Sequence, residues 1–212
     1  MISKVLIIVA VVLILPGLIG IRTKNIESKL VFLITTSIGV LLLPFSQGKA
    51  RFGILGGIWQ VLFQGPALLC FVLLIKSICK RNGIRNAEEF AGVREHMPYL
   101  FAAGVVFAIV LMGLPGTGTF VGYLYSAFGL MTGDFGVYSY IGLAGILLGI
   151  AIYAAITFSI LKTAYLPGRK VQKISSKADG VFVVLAFLFI LYCIFQNQIV
   201  EVVSTLIGKI FS

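Results

Sequence analysis

Gln60 and Gln64 lie four residues apart in a stretch, Phe52 to Ile75, that holds no charged residue. At that spacing the two amides share one helix face. An unpaired buried amide costs ~1–3 kcal/mol or more, so both should face a protein interior. There they could donate to and accept from water or an ion without titrating. A second chemically distinctive stretch runs from Gly113 to Tyr123, within residues 97 to 133, which contain no Asp, Glu, Lys or Arg. Pro115 has no amide hydrogen to donate, and Gly113, Gly116 and Gly118 cost helix stability. A helix broken there would free amides and carbonyls to face an ion or a wet cavity. A packing kink is the alternative, since Gly and Pro are common in membrane helices. Tyr123 and Tyr125 follow the break, and Tyr153, Thr157 and Ser159 supply hydroxyls further on. Lys76 and Lys162 close apolar runs, where snorkelling to the interface is their ordinary role.

The missing groups narrow the chemistry. No carboxylate and no histidine falls inside an apolar run, although ion pumps place titratable groups at depth. One histidine and seven acids leave little for hydrolytic or metal chemistry. Cys70, Cys79 and Cys193 lack any paired spacing. Nothing resembles a nucleotide, flavin or iron–sulfur site, so no cofactor is expected in this chain.

The elements that must position these groups are membrane helices. Of 212 residues, 59% are hydrophobic and 11% charged, with mean hydropathy +1.10; soluble domains carry about 25% charged residues. The pattern predicts one all-α transmembrane domain over 1–212, with spans at 5–21, 30–48, 52–75, 97–131, 135–161 and 180–200. No small-residue cleavage site follows the first run, so it reads as a span and not a signal peptide. The fourth span is the broken one, because 97–131 is too long for one straight crossing of about 20 residues. Alternating sides from an outer N-terminus puts 13 basic residues on inner segments and four outside. Reading 97–133 as a hairpin would give nine against eight. The positive-inside rule selects the broken span, with both termini outside and the basic loops cytoplasmic, in the cell's inner membrane. The net charge of +10 is thereby topological and does not call for nucleic acid.

Gly-Leu-Pro-Gly-Thr-Gly-Thr-Phe-Val-Gly at 113 to 122 resembles the broken twelfth helix of the antiporter-like membrane subunits of bacterial respiratory complex I. That family includes subunits of Mrp-type cation/proton antiporters and membrane-bound hydrogenases. Ser37-Ile38-Gly39 is similar to the family's Ser-His-Met-Gly region. Trp59-Gln60 through Gln64-Gly65 resembles the helix bearing Gln-Met-Ile-Ala-His-Gly. Leu161-Lys162-Thr163-Ala164-Tyr165 looks like the basic-aromatic motif that closes the thirteenth helix. The likeness covers roughly 33 to 170. It implies the second of two inverted five-helix repeats plus the final helix.

Departures from the family pattern bear on function. Tyr123 stands where the family usually has a proton-handling Glu or Lys, and Gln64 where it has a histidine. A tyrosine with a reference pKa near 10 is a poor proton carrier at neutral pH. The resemblance thus implies an accessory, non-pumping membrane subunit of a complex I-like or hydrogenase-like ion-translocating complex, with other membrane subunits and lipid as partners. Two alternatives stand. One is a half-transporter forming an ion or inorganic-carbon path with a partner chain. The other is a membrane anchor or assembly subunit docking a soluble enzyme through the basic loops. The residues carrying any remaining path would be Gln60, Gln64, Pro115, Gly116, Gly118, Tyr123, Thr157 and Lys162. The expected cavity lies where the break meets Gln64, with Tyr123 bonded to Thr157 or Tyr153 and Lys162 closing the inner end.

Overall fold

The computed structural model describes residues 2–47, 51–133, 135–166, 177–195, 198 and 205. Among them the chain is helical throughout: α1 Ile2–Ile14, α2 Pro16–Arg22, α3 Ile26–Phe45, α4 Arg51–Asn82, a 3-10 turn at Ala87–Phe90, α5 Val93–His96, α6 Pro98–Met112, α7 Gly118–Thr132, α8 Val137–Ala164 and α9 Lys177–Ile194. In a bilayer every backbone polar group must be satisfied internally, which these helices do along their length.

Four helical runs are long and apolar enough to cross a membrane: Ile2–Arg22, Ile26–Phe45, Arg51–Asn82 and Val137–Ala164. The count by length and composition reaches five if Ala87–His96 and Pro98–Met112, bent by 118°, form one span. The apolar helix Asp179–Ile194 is shorter. The chain is therefore a multi-pass membrane protein whose described residues yield four or five such helices, fewer than the six that hydropathy suggests. The sequence boundaries also shift. The first span is split at Leu15, where Pro16 starts α2. The third runs on to Asn82, because Lys76 to Arg81 include good helix formers whose charges need only reach the interface.

The long helix α4 is the backbone of the bundle. A Cβ built on Gly129 would lie 2.9 Å from the Gly53 amide, one on Gly56 2.7 Å from the Ser126 amide, and one on Gly122 3.1 Å from the Gln60 amide. Gly118 abuts the Phe63 ring, and Gly104 of α6 faces Leu74. The partners on α4 thus climb from 53 to 74 as those on α7 and α6 fall from 129 to 104. The two short helices lie end to end, antiparallel to α4, as one broken rod and not a hairpin. Each has 15 residues, about 22 Å, short of a hydrocarbon core of about 30 Å, so neither spans it alone.

α8 closes the other side. Its buried Ile152, Ile156 and Ile160 join Ile7, Ala10 and Ile14 of α1 and Leu33, Val40 and Leu43 of α3 in one core. The outward faces remain apolar, as at Leu147 and Phe158, which suits lipid. α9 docks through Phe189 on Phe107 and Tyr192 on Phe63, the latter rings stacked at 4.1 Å. Asp179 pairs with Arg81 and ties the start of α9 to the end of α4.

Candidate functional site

The break is built by local rules. Gly113 ends α6 at φ 68°, and the Leu114 amide reaches back to the Ile109 carbonyl, a left-handed helix stop that glycine adopts without a Cβ penalty. Pro115 follows, and Gly116 sits at φ 94°. The Thr117 hydroxyl then accepts from the Phe120 amide at 3.3 Å and caps α7.

Tyr123 braces this joint. Its ring lies across Gly113 and its buried hydroxyl donates to the Leu111 carbonyl at 3.4 Å. That carbonyl belongs to the last turn of α6, one of the groups a helix end leaves open. The expectation of a partner from α8 is thus corrected. The freed carbonyl at the end of α6 takes the hydroxyl proton, and Thr157 donates instead to the Tyr153 carbonyl.

Gln60 and Gln64 are wholly buried. Gln64 Nε2 donates to the Tyr153 hydroxyl at 2.6 Å, while Ser37 of α3, also buried, donates to the Leu33 carbonyl of its own helix. Gln60 Nε2 donates to Ser126 Oγ at 3.1 Å, and Ser126 donates onward to the Gly122 carbonyl at 2.7 Å. Gln47 Nε2 reaches the Ser126 carbonyl at 2.8 Å. Among the described residues the amide oxygens of Gln47, Gln60 and Gln64 and the Thr119 hydroxyl find no partner. A buried polar seam therefore runs between α3, α4, α7 and α8, with acceptor capacity to spare.

The cavity beside the break is not where Gln64 lies. It measures about 410 Å³ and is lined by Val110, Pro115, Gly116, Thr117, Phe189 and Cys193 among others. It opens between α6 and α9, while Leu114, Pro115 and Gly116 are exposed. Phe63 packs under Gly118 and separates the break from the glutamines. Gln60, Gln64, Tyr123 and Thr157 thus belong to the interior seam, Gly118 joins α7 to α4, and Pro115 and Gly116 stand at the surface.

Lys162 is exposed at the end of α8. The lysine held at that end is Lys29, which falls between the spans 5–21 and 30–48 that the sequence predicts. It is 3% exposed. Its Nζ donates to Ser159 Oγ at 3.0 Å, to the Ile21 carbonyl at 3.2 Å and to the Gly20 carbonyl at 3.4 Å. A usable signal existed: Lys29, Leu33, Thr36 and Val40 recur at helical spacing on the buried face of α3. Ser126 and Gln47 were also missed, since their role depends on the close approach of α7 to α4. Among the described residues no cluster of His, Cys, Asp and Glu could hold a metal ion.

Comparison with known proteins places this geometry. Residues 1–149 match the family described as NADH:quinone oxidoreductase/Mrp antiporter, TM. NADH-quinone oxidoreductase subunit M of Rickettsia conorii is 27% identical over 144 residues, covering 68% of this chain and 28% of that protein. The subunit M of Escherichia coli K12 is 25% identical over 162 residues, covering 73% and 31%. The chain thus spans under a third of these relatives' length. Among solved structures, a chain of the membrane-bound sulfane sulfur reductase, an archaeal respiratory membrane complex, superposes with a TM-score of 0.83 at 20% identity, covering 95% of this chain and 41% of that one. A chain of the Mrp complex from Dietzia gives 0.72 at 17% identity, covering 94% and 45%. A chain of Thermus thermophilus respiratory complex I gives 0.69 at 17%, covering 93% and 45%.

Proposed function

The chain belongs to the NADH:quinone oxidoreductase/Mrp antiporter transmembrane family, and from that premise we propose that it is an accessory, non-pumping membrane subunit of a multi-subunit, redox-driven ion-translocating complex. The observation that carries the reading is the exposed break. Leu114 to Gly116 leave the helix at the surface of the chain, midway along a rod that runs the length of α4. Irregular backbone at membrane depth cannot face lipid, so a neighbouring subunit covers it. The structural relatives support this, being chains of multi-subunit membrane complexes.

The non-pumping part rests on the seam. Amides do not titrate, and hydroxyls in general titrate far from neutrality, so the seam offers no group that carries a proton on and off at neutral pH. In this reading six spans cross the inner membrane, both termini face outward and the basic loops face the cytoplasm. The chain binds no cofactor and no nucleic acid, and Lys162 is an interfacial anchor.

A cross-link tests the cover. With Leu114→Cys as the one thiol (Cys70, Cys79 and Cys193 replaced by Ser) carrying a thiol-linked benzophenone in the native membrane, light should join position 114 to another polypeptide, and purification should bring down that assembly. A link only to residues 196–212 of the same chain, or a stable isolated monomer, would sink the proposal.

The second reading, a half-transporter, draws on the four buried oxygens without partners, which a file of water or a cation could occupy. It predicts that the Gln64→Leu/Tyr123→Phe double variant loses ion flux in reconstituted vesicles. The accessory reading predicts that the complex keeps its flux.

A further inference from the structure

At the basic end of the bundle a second cavity, of about 360 Å³, lies between the start of α3 and the end of α4. Lys76, Lys80 and Arg85 line it with one acid, Glu27, over a floor that includes Ile26, Leu30 and Ile84. We infer that this pocket holds the phosphodiester headgroup of an anionic phospholipid.

The cations are placed by the fold. Lys76 and Lys80, at i and i+4, share a face of α4. Gly83, at φ 63°, turns the chain back after α4. The Ile26 amide then donates to the Arg85 carbonyl at 2.9 Å, and the Ala87 amide to the Lys24 carbonyl at 2.8 Å. This short bridge fixes Arg85 beside the first turn of α3. Among the described residues no side-chain hydrogen bond or ion pair occupies Lys76, Lys80 or Arg85; the ion pairs formed are Lys24–Glu88 and Arg81–Asp179. Three cations against Glu27 and the adjoining Glu89, whose carboxylate accepts from the Arg85 amide at 2.8 Å, leave the pocket with a net positive charge.

Depth and shape select a lipid over a free anion. Lys76 directly follows the charge-free run 52–75, so the pocket opens at the headgroup layer. Leu73 and Leu69, 49% and 59% exposed, lie about one and two turns deeper than Lys76 on the face of α4 that carries Lys76 and Lys80. An acyl chain can follow that apolar lane while its phosphate meets the lysines. Basic pockets between membrane helices on the cytoplasmic side suit such headgroups, and each Lys or Arg near the surface adds roughly fivefold in affinity.

The test is lipid retention by the protein purified in its native assembly, read by native mass spectrometry after exchange into phosphatidylglycerol or phosphatidylcholine. Phosphatidylglycerol should be retained and phosphatidylcholine should wash out. The K76Q/K80Q/R85Q variant should lose retention by on the order of 100-fold. K170Q/K173Q/K177Q, which removes as much charge elsewhere in the sequence, should behave as the unmodified protein. Glu27→Gln should tighten retention about fivefold, and decides the matter by its sign should the triple variant not assemble. Equal loss in the two triple variants, equal retention of phosphatidylcholine, or weaker retention in Glu27→Gln would overturn the assignment. Displacement of the lipid by millimolar inorganic phosphate would make this a free-anion site and overturn the lipid.

Discussion

The Gln64 amide donates to the Tyr153 hydroxyl at 2.6 Å, joining α4 to α8 between two wholly buried side chains. Neither group has water to fall back on, so the pair holds the two helices in register. Tyr153→Phe leaves the amide hydrogens without their acceptor and should lower stability by ~1–3 kcal/mol. Gln64→Leu/Tyr153→Phe removes both partners and should cost less than the two single changes added together. A double-mutant cycle of unfolding in micelles measures this, and strict additivity would show that the bond contributes nothing.

The two left-handed glycines of the break make a matched comparison. Gly116→Ala puts a Cβ into open space, so only backbone strain opposes it, about 1–2 kcal/mol. Gly113→Ala carries the same strain, and its Cβ also meets the Tyr123 ring. It should be the more damaging by at least about 1 kcal/mol, and Tyr123→Ala should narrow the gap. Equal unfolding midpoints for the two variants would show that Tyr123 does not brace the joint.

The break was legible because its cause is local: Pro and three glycines within six residues forbid a continuous helix whatever surrounds them. The inward aim of Gln60 and Gln64 was legible too, since amides at i and i+4 in an apolar helix cannot face lipid. Partners were not. Tyr123 finds a carbonyl that exists as an acceptor only because α6 ends at Met112, and Gln60 finds Ser126 only because glycines let α7 touch α4. Lys29 was harder to read for a related reason. Its oxygens come from α2 and α8, and only its helical spacing with Leu33, Thr36 and Val40 marks it as buried.

Close approach of α4 and α7 depends on missing side chains. A methyl on Gly56 would stand 2.7 Å from the Ser126 amide and 3.0 Å from the Gly122 carbonyl, atoms that cannot swing aside. Gly56→Ala should separate the rods and break the Gln60–Ser126 bond, costing about 1–3 kcal/mol. Gly65→Ala, on the same helix with nothing within 4 Å, should be neutral or slightly stabilising. Thermal unfolding of the pair checks this, and similar midpoints would refute tight glycine packing.

Lys29 sets two effects against each other. Its ammonium has three oxygen partners, none of them a carboxylate, so the hydrogen bonds must offset the desolvation of a buried charge, several kcal/mol. Removing charge and bonds together should nearly cancel: Lys29→Met, which keeps the stem, should alter stability by no more than about 1 kcal/mol. Lys29→Glu instead sets a carboxylate against two carbonyls and a hydroxyl oxygen, with no donor but the serine proton, which Ser159 gives to the Ile156 carbonyl. It should cost on the order of 3–5 kcal/mol and sharply lower the yield of folded protein. The check is folded yield and unfolding midpoint of both variants side by side. If Lys29→Met proves as damaging as Lys29→Glu, the positive charge itself is required at the junction of α2, α3 and α8.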